Sequence, residues 1–126
     1  MGQAVDTSRH GILIVEDEPL IRHDLLDFFE DAGFEVFEAE NAEFAIKLMA
    51  MQPSIRVVLT DVDMPGSMDG VKLAHYIRKR YPSTLVLIAS GAFRLAVADM
   101  PADAIFIGKP FDPRAVLKTI CSAPVS

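Results

Sequence analysis

The sequence predicts a doubly wound α/β domain, one parallel sheet of five strands with helices packed on both faces. Apolar runs of strand length recur at residues 12–15, 36–39, 57–59, 85–89 and 105–107, and between them the apolar residues take up helical spacing. Largely apolar runs separated by helices belong to strands buried on both sides, the condition of a parallel sheet. Parallel neighbours need crossover helices, and those crossovers are right-handed. The third observation concerns how the runs end. Glu16 and Asp17 close the first, Asp61 the third and Lys109 the fifth, so charge collects at the carboxyl edge, where open α/β sheets bind ligands.

The elements follow in order. Ile12 to Val15 leads into a helix with Pro19 in its first turn, apolar positions at Ile21, Leu25, Phe28, Phe29 and Ala32, and Gly33 at its end. After Val36 to Ala39, Asn41 caps a second helix carrying Ala42, Ala45, Ile46 and Met49, which stops before Pro53. The third run delivers Asp61 to its last position and meets a turn at Pro65-Gly66. Asp69 then caps a third helix with Leu73, Ala74, Ile77 and Tyr81 on one stripe and Pro82 beyond its end. Leu85 to Ala89 ends at Ser90, and in the segment 92–103 Pro101 limits a fourth helix to about two turns, short or irregular. Ile105-Phe106-Ile107 precedes Lys109-Pro110-Phe111. The last helix follows Asp112-Pro113 and buries Val116, Leu117, Ile120 and Cys121.

A chain of 126 residues fits one domain and buries roughly two-thirds of its unfolded surface without disulfide or metal staples. Its 51% hydrophobic and 24% charged residues are ordinary for a soluble protein, and no apolar run approaches the roughly 20 residues that span a bilayer. Residues 1–10 lack the long apolar segment of a secretory signal and read as a flexible leader, with 123–126 as a short tail, so the expected location is cytoplasmic. The single cysteine, Cys121, excludes an internal disulfide and a multi-cysteine zinc site and reads as apolar filler. A net charge of −6 argues against direct contact with nucleic acid, which favours a basic stripe.

Core packing does not account for the acids at the strand ends, since charges beside a buried sheet are costly unless paired or metal-bound. Glu16, Asp17 and Asp61 crowded at one edge repel one another and raise one another's pKa unless a cation sits between them. Magnesium suits such a site: it takes oxygen ligands, keeps several waters, and joins one or two carboxylates to phosphate oxygens. On this reading Asp17 and Asp61 are direct ligands and Glu16 a ligand through water. Each feature also has a plainer reading. Glu16-Asp17 alone is a solvated pair, Lys-Pro-Phe a turn, Ser90 a strand-end cap and Phe106 core. Residues 65–70 lack the Lys-Ser/Thr of a P-loop and read as a turn.

Taken together, Glu16-Asp17, then Asp61 in Asp-Val-Asp-Met-Pro-Gly-Ser-Met-Asp-Gly, then Ser90, then Lys109-Pro110-Phe111 resemble a two-component response-regulator receiver domain, stand-alone and similar to the chemotaxis regulators. The resemblance runs over 11–122 and implies a flavodoxin-like sheet of strand order 2-1-3-4-5. It implies that Asp61 accepts a phosphoryl group from a histidine kinase or histidine phosphotransfer protein, with Mg2+ held by Glu16, Asp17, Asp61 and the carbonyl of Asp63. Lys109 would neutralise the phosphoryl oxygens. Ser90 and Phe106 match the family's switch hydroxyl and its rotameric aromatic, the Lys109–Pro110 bond matches one that is cis in the family, and the chain would be a monomer or weak phosphorylation-dependent dimer acting on an output partner. The family usually has Asp where Glu16 stands, and the interval from Ser90 to Lys109 is short. No output domain follows Ser126, so the chain resembles a stand-alone receiver or one excised from a larger protein. Two rivals use the same residues: Asp61-Val62-Asp63 resembles the nucleophile motif of haloacid-dehalogenase phosphatases, although Pro65 departs from it, and a pseudo-receiver would bind partners without phosphoryl transfer.

Overall fold

The computed structural model describes residues 10–64, 66, 68–91 and 100–123. Its strands are β1 (Gly11–Val15), β2 (Glu35–Ala39), β3 (Ile55–Asp61), β4 (Leu85–Ser90) and β5 (Ile105–Gly108), all parallel in the order β2-β1-β3-β4-β5. Three helices, α1 (Pro19–Asp31), α2 (Ala42–Met51) and α3 (Gly70–Arg80), and a C-terminal helix (Pro113–Ser122) cover the sheet. The predicted doubly wound fold and its strand order are both present. Most of the expected leader, most of the fourth-helix segment (92–99) and the end of the chain (124–126) lie outside the described residues.

Alternation along the three central strands divides the core in two. Leu13 and Val15, Val58, and Val86 and Ile88 pack with Ala45 and Met49 of α2 and Leu73 and Ile77 of α3. Ile12 and Ile14, Val57 and Leu59, and Leu87 and Ala89 pack with Leu25 and Phe29 of α1 and Val116 and Ile120 of the C-terminal helix. Burial on both faces is what makes these runs continuously apolar. The edge strands differ. Glu35 and Glu38 in β2 are exposed and β5 is only half-buried, because an edge strand has one neighbour and shorter cover. β3 is longer than its apolar run, since the exposed Arg56 interrupts the pattern without ending the ladder.

Helix ends follow their sequence signals. Asn41 Oδ1 accepts from Phe44 N at 2.8 Å and Asp69 Oδ1 from Lys72 N at 2.9 Å, each satisfying an orphan donor of the first turn. At the end of α1 the Gly33 N–H bonds Glu30 O and the Phe34 N–H bonds Phe29 O, with Gly33 at φ 99°. This is the Schellman arrangement, and the Phe29 and Phe34 rings, 5.6 Å apart, supply its apolar contact.

Two expectations are corrected. Cys121 is exposed, not buried filler: Val116 and Ile120 lie four residues apart and face the sheet, and Cys121, a further 100° round the helix, points away. Ile21 in α1 is 43% exposed beside Leu20 at 76%, so the buried stripe of that helix is Leu25 and Phe29, and it starts one turn later than the apolar spacing suggests. Tyr81 is half-buried and caps α3 from outside the helix.

Gly70 opens α3 against the end of β3. Its N–H donates to Val62 O at 2.9 Å, and a Cβ there would overlap the Asp61 carbonyl oxygen. Gly70→Ala is expected to cost about 1–3 kcal/mol by forcing helix and strand apart. Chemical denaturation measures it, and wild-type stability in the variant would show that the approach is not close.

Candidate functional site

Side chains on a strand alternate between faces, so the row Ile12, Ile14 on β1 continues to Glu16, the row Val57, Leu59 on β3 continues to Asp61, and Ile105, Ile107 on β5 continue to Lys109. The apolar members of the three rows pack under α1 and the C-terminal helix. The next member of each, at the carboxyl edge, is charged. Register brings these ends together: Val15 pairs with Thr60, Asp61 with Ala89 and Ser90 with Gly108, while Lys109 N donates to Ser90 O at 3.0 Å.

Lys109 Nζ lies 3.0 Å from Asp61 Oδ1 and 3.7 Å from Glu16 Oε1. One carboxylate oxygen from each of Glu16, Asp17 and Asp61 lies within 4.8 Å of the other two. Glu16 and Asp61 are buried, at 5% and 8% exposure, while Asp17 is exposed. Glu16 Oε2 accepts from Glu18 N at 3.1 Å. Ser90 is buried one residue beyond the β4 partner of Asp61. Phe106 is half-buried on the edge strand and Asp63 is exposed. The Lys109–Pro110 peptide is cis.

Burial pushes the Asp61 carboxyl above its ordinary range, and the hydrogen bond and charge of Lys109 only partly offset this. Burial also raises Glu16, the bond from Glu18 N opposes it, and the charge of Asp61 adds to it. For Lys109 burial works downward, yet the hydrogen bond and charge of Asp61, followed by the charge of Glu16, outweigh it and hold the ammonium above its usual value. Among the described residues Lys109 is the cation paired with these three carboxylates, so negative charge is in excess there. A hard divalent cation matches both that excess and the all-oxygen donor set.

Nothing in the sequence marks Arg22. Its Nη1 donates to Glu16 O at 2.7 Å and its Nε to Glu38 Oε1 at 2.8 Å. An arginine early in a helix gives no signal of its own; only the fold shows that it bends back to the acids.

The family model for the response regulator receiver domain matches residues 12–121. The chain belongs to that family. Among curated relatives, the response regulator protein FleR of Pseudomonas aeruginosa is 38% identical over 112 residues, 86% of this chain but 23% of FleR. The receiver thus spans about a quarter of that relative. The crystal structure of a response regulator receiver protein from Sinorhizobium medicae superposes with a TM-score of 0.81 at 25% identity, covering 90% of this chain and 95% of the other. TrrA of Thermotoga maritima, solved in complex with Mg(2+)-BeF, superposes with a TM-score of 0.74 at 26% identity, covering 88% and 96%. Receiver domains are signalling modules of two-component systems, so the haloacid-dehalogenase and pseudo-receiver readings are not favoured. Among the described residues no helix is long and apolar enough to cross a membrane.

Proposed function

We propose that Asp61 of this receiver accepts a phosphoryl group from a histidine kinase or a histidine phosphotransfer protein. The observation that supports this most is the Lys109 ammonium 3.0 Å from one oxygen of a buried carboxylate that two other acids surround. Asp17 and Asp61 would hold Mg2+ directly, Glu16 through water, and the Asp63 carbonyl would complete the protein's share. Bound there, the cation supplies charge neutralisation for phosphoryl oxygens. Asp61 attacks phosphorus in line as a carboxylate; the bond from phosphorus to the donor's leaving nitrogen breaks as the bond to the Asp61 oxygen forms. Lys109 then pairs with a phosphoryl oxygen in place of the carboxylate oxygen it holds in this structure. The domain catalyses only its own phosphorylation and dephosphorylation, as a unit of residues 11–122, acting in the cytoplasm as a monomer or weak phosphorylation-dependent dimer. Incubation with phosphoramidate and magnesium, followed by peptide mapping, tests the reading: a base-labile adduct on Asp61 is expected, and turnover of added phosphoesters or an adduct elsewhere would overturn it.

Propagation would run through Ser90 and Phe106. Ser90 is 1% exposed at the end of β4, one strand over from Asp61, and its hydroxyl would bond a phosphoryl oxygen; Phe106 would then turn inward. Ser90→Ala is expected to accept phosphate yet lose distant amide shifts when beryllofluoride is added, with pocket shifts retained. Identical distant shifts in both proteins would remove Ser90 from the switch.

A further inference from the structure

Arg22 stands one turn into α1, its N–H bonded to Glu18 O at 2.9 Å, and helix side chains lean toward the helix N-terminus. The guanidinium therefore lies back over the loop that carries the acids. Its side chain is 17% exposed, against 51% for its partner Glu38 on β2.

We infer that Arg22 is a positioning residue for the acid pair: it ties the peptide between Glu16 and Asp17 to strand β2 and so sets where both carboxylates stand. The inference rests on the magnesium site of the proposed function. Glu16 is held through each of its polar groups. Its N–H donates to Ala39 O at 3.0 Å, its carboxylate meets Glu18 N at 3.1 Å and Lys109 Nζ at 3.7 Å, and its carbonyl accepts from Arg22 at 2.7 Å. The carbonyl of Glu16 and the N–H of Asp17 share one rigid plane. Fixing that carbonyl therefore fixes the backbone from which the exposed Asp17 carboxylate projects. The planar fork of a guanidinium serves two acceptors in one orientation, which an ammonium on a flexible stem cannot do. Glu38 takes Nε and leaves Nη1 aimed at the carbonyl. A half-exposed ion pair adds little stability, so the value of Glu38 is the aim it gives Arg22.

Magnesium titrations followed by calorimetry, with the metal-free melting temperature recorded alongside, test this. Arg22→Lys and Arg22→Ala are expected to weaken magnesium about tenfold, as loss of a partner that orients metal ligands does. Glu38→Gln, whose amide oxygen still accepts from Nε, is expected to bind like wild type. Labelling by phosphoramidate in the Arg22 variants should regain the wild-type maximal rate once magnesium is raised. If Arg22→Ala fails to fold, Arg22→Lys carries the test alone. A lowered metal-free melting temperature with unchanged magnesium affinity means a merely structural arginine and overturns the inference while leaving the magnesium site intact. No magnesium response in wild type would overturn the site and the inference together.

Discussion

Asp61→Asn is expected to abolish labelling by acetyl phosphate or phosphoramidate in the presence of magnesium, while wild type gains one phosphoryl group. The amide keeps the volume of the carboxylate but is no nucleophile at this pH. Equal mass gain in the two proteins would place the acceptor elsewhere. The same variant separates chemistry from folding. Burial raises the Asp61 carboxyl in the folded state, so in metal-free solution its ionisation costs stability: the cost is absent below the unfolded-state value and grows as pH rises through the raised folded value. Asn does not ionise. Metal-free Asp61→Asn should therefore melt above wild type at neutral pH, with the gap closing toward acidic pH. A gap that does not change with pH would mean that the raised Asp61 carboxyl is not its origin.

Magnesium is expected to raise the melting temperature of wild type, and Asp17→Ala to remove most of that response. Only the folded chain gathers Glu16, Asp17 and Asp61, so binding stabilises by mass action, about 2.7 kcal/mol at a hundredfold excess over the dissociation constant, which for a domain this size is on the order of 10 °C. Asp17 is exposed, so its removal should leave metal-free stability nearly unchanged and isolate the metal term. Calorimetric scans with and without magnesium measure both. An undiminished shift in Asp17→Ala would locate the ion away from these acids.

Most of this architecture could be read from residue order, for a physical reason. The central strands are buried on both faces, so past the exposed Arg56 of β3 their runs stay apolar until the carboxyl edge, and the first charge after the runs of β1, β3 and the edge strand β5 marks both the end of the strand and the site. Glu16, Asp61 and Lys109 are legible in that way. β2, with Glu35 and Glu38 exposed, carries a weaker signal because an edge strand is half solvated. Cys121 and Ile21 are exposed although apolar, because the buried face of a helix is only as wide as the sheet beneath it. The bond from Arg22 to the Glu16 carbonyl is tertiary, reaching from a helix to a main-chain atom, and leaves no pattern in composition or spacing. The same holds for the close approach of Gly70 to the Asp61 carbonyl.

The three rows that end in Glu16, Asp61 and Lys109 come from the first, third and fifth strands of the chain, and the lysine is contributed by the last of these. A chain emerging from the ribosome possesses Glu16, Asp17 and Asp61 well before it possesses the cation that stands 3.0 Å from Asp61. Until β5 docks beside β4, the carboxylates lack the counter-charge that Lys109 gives them. The pairing of the Lys109 ammonium with the acids is thus a property acquired late in biosynthesis, together with the closing strand.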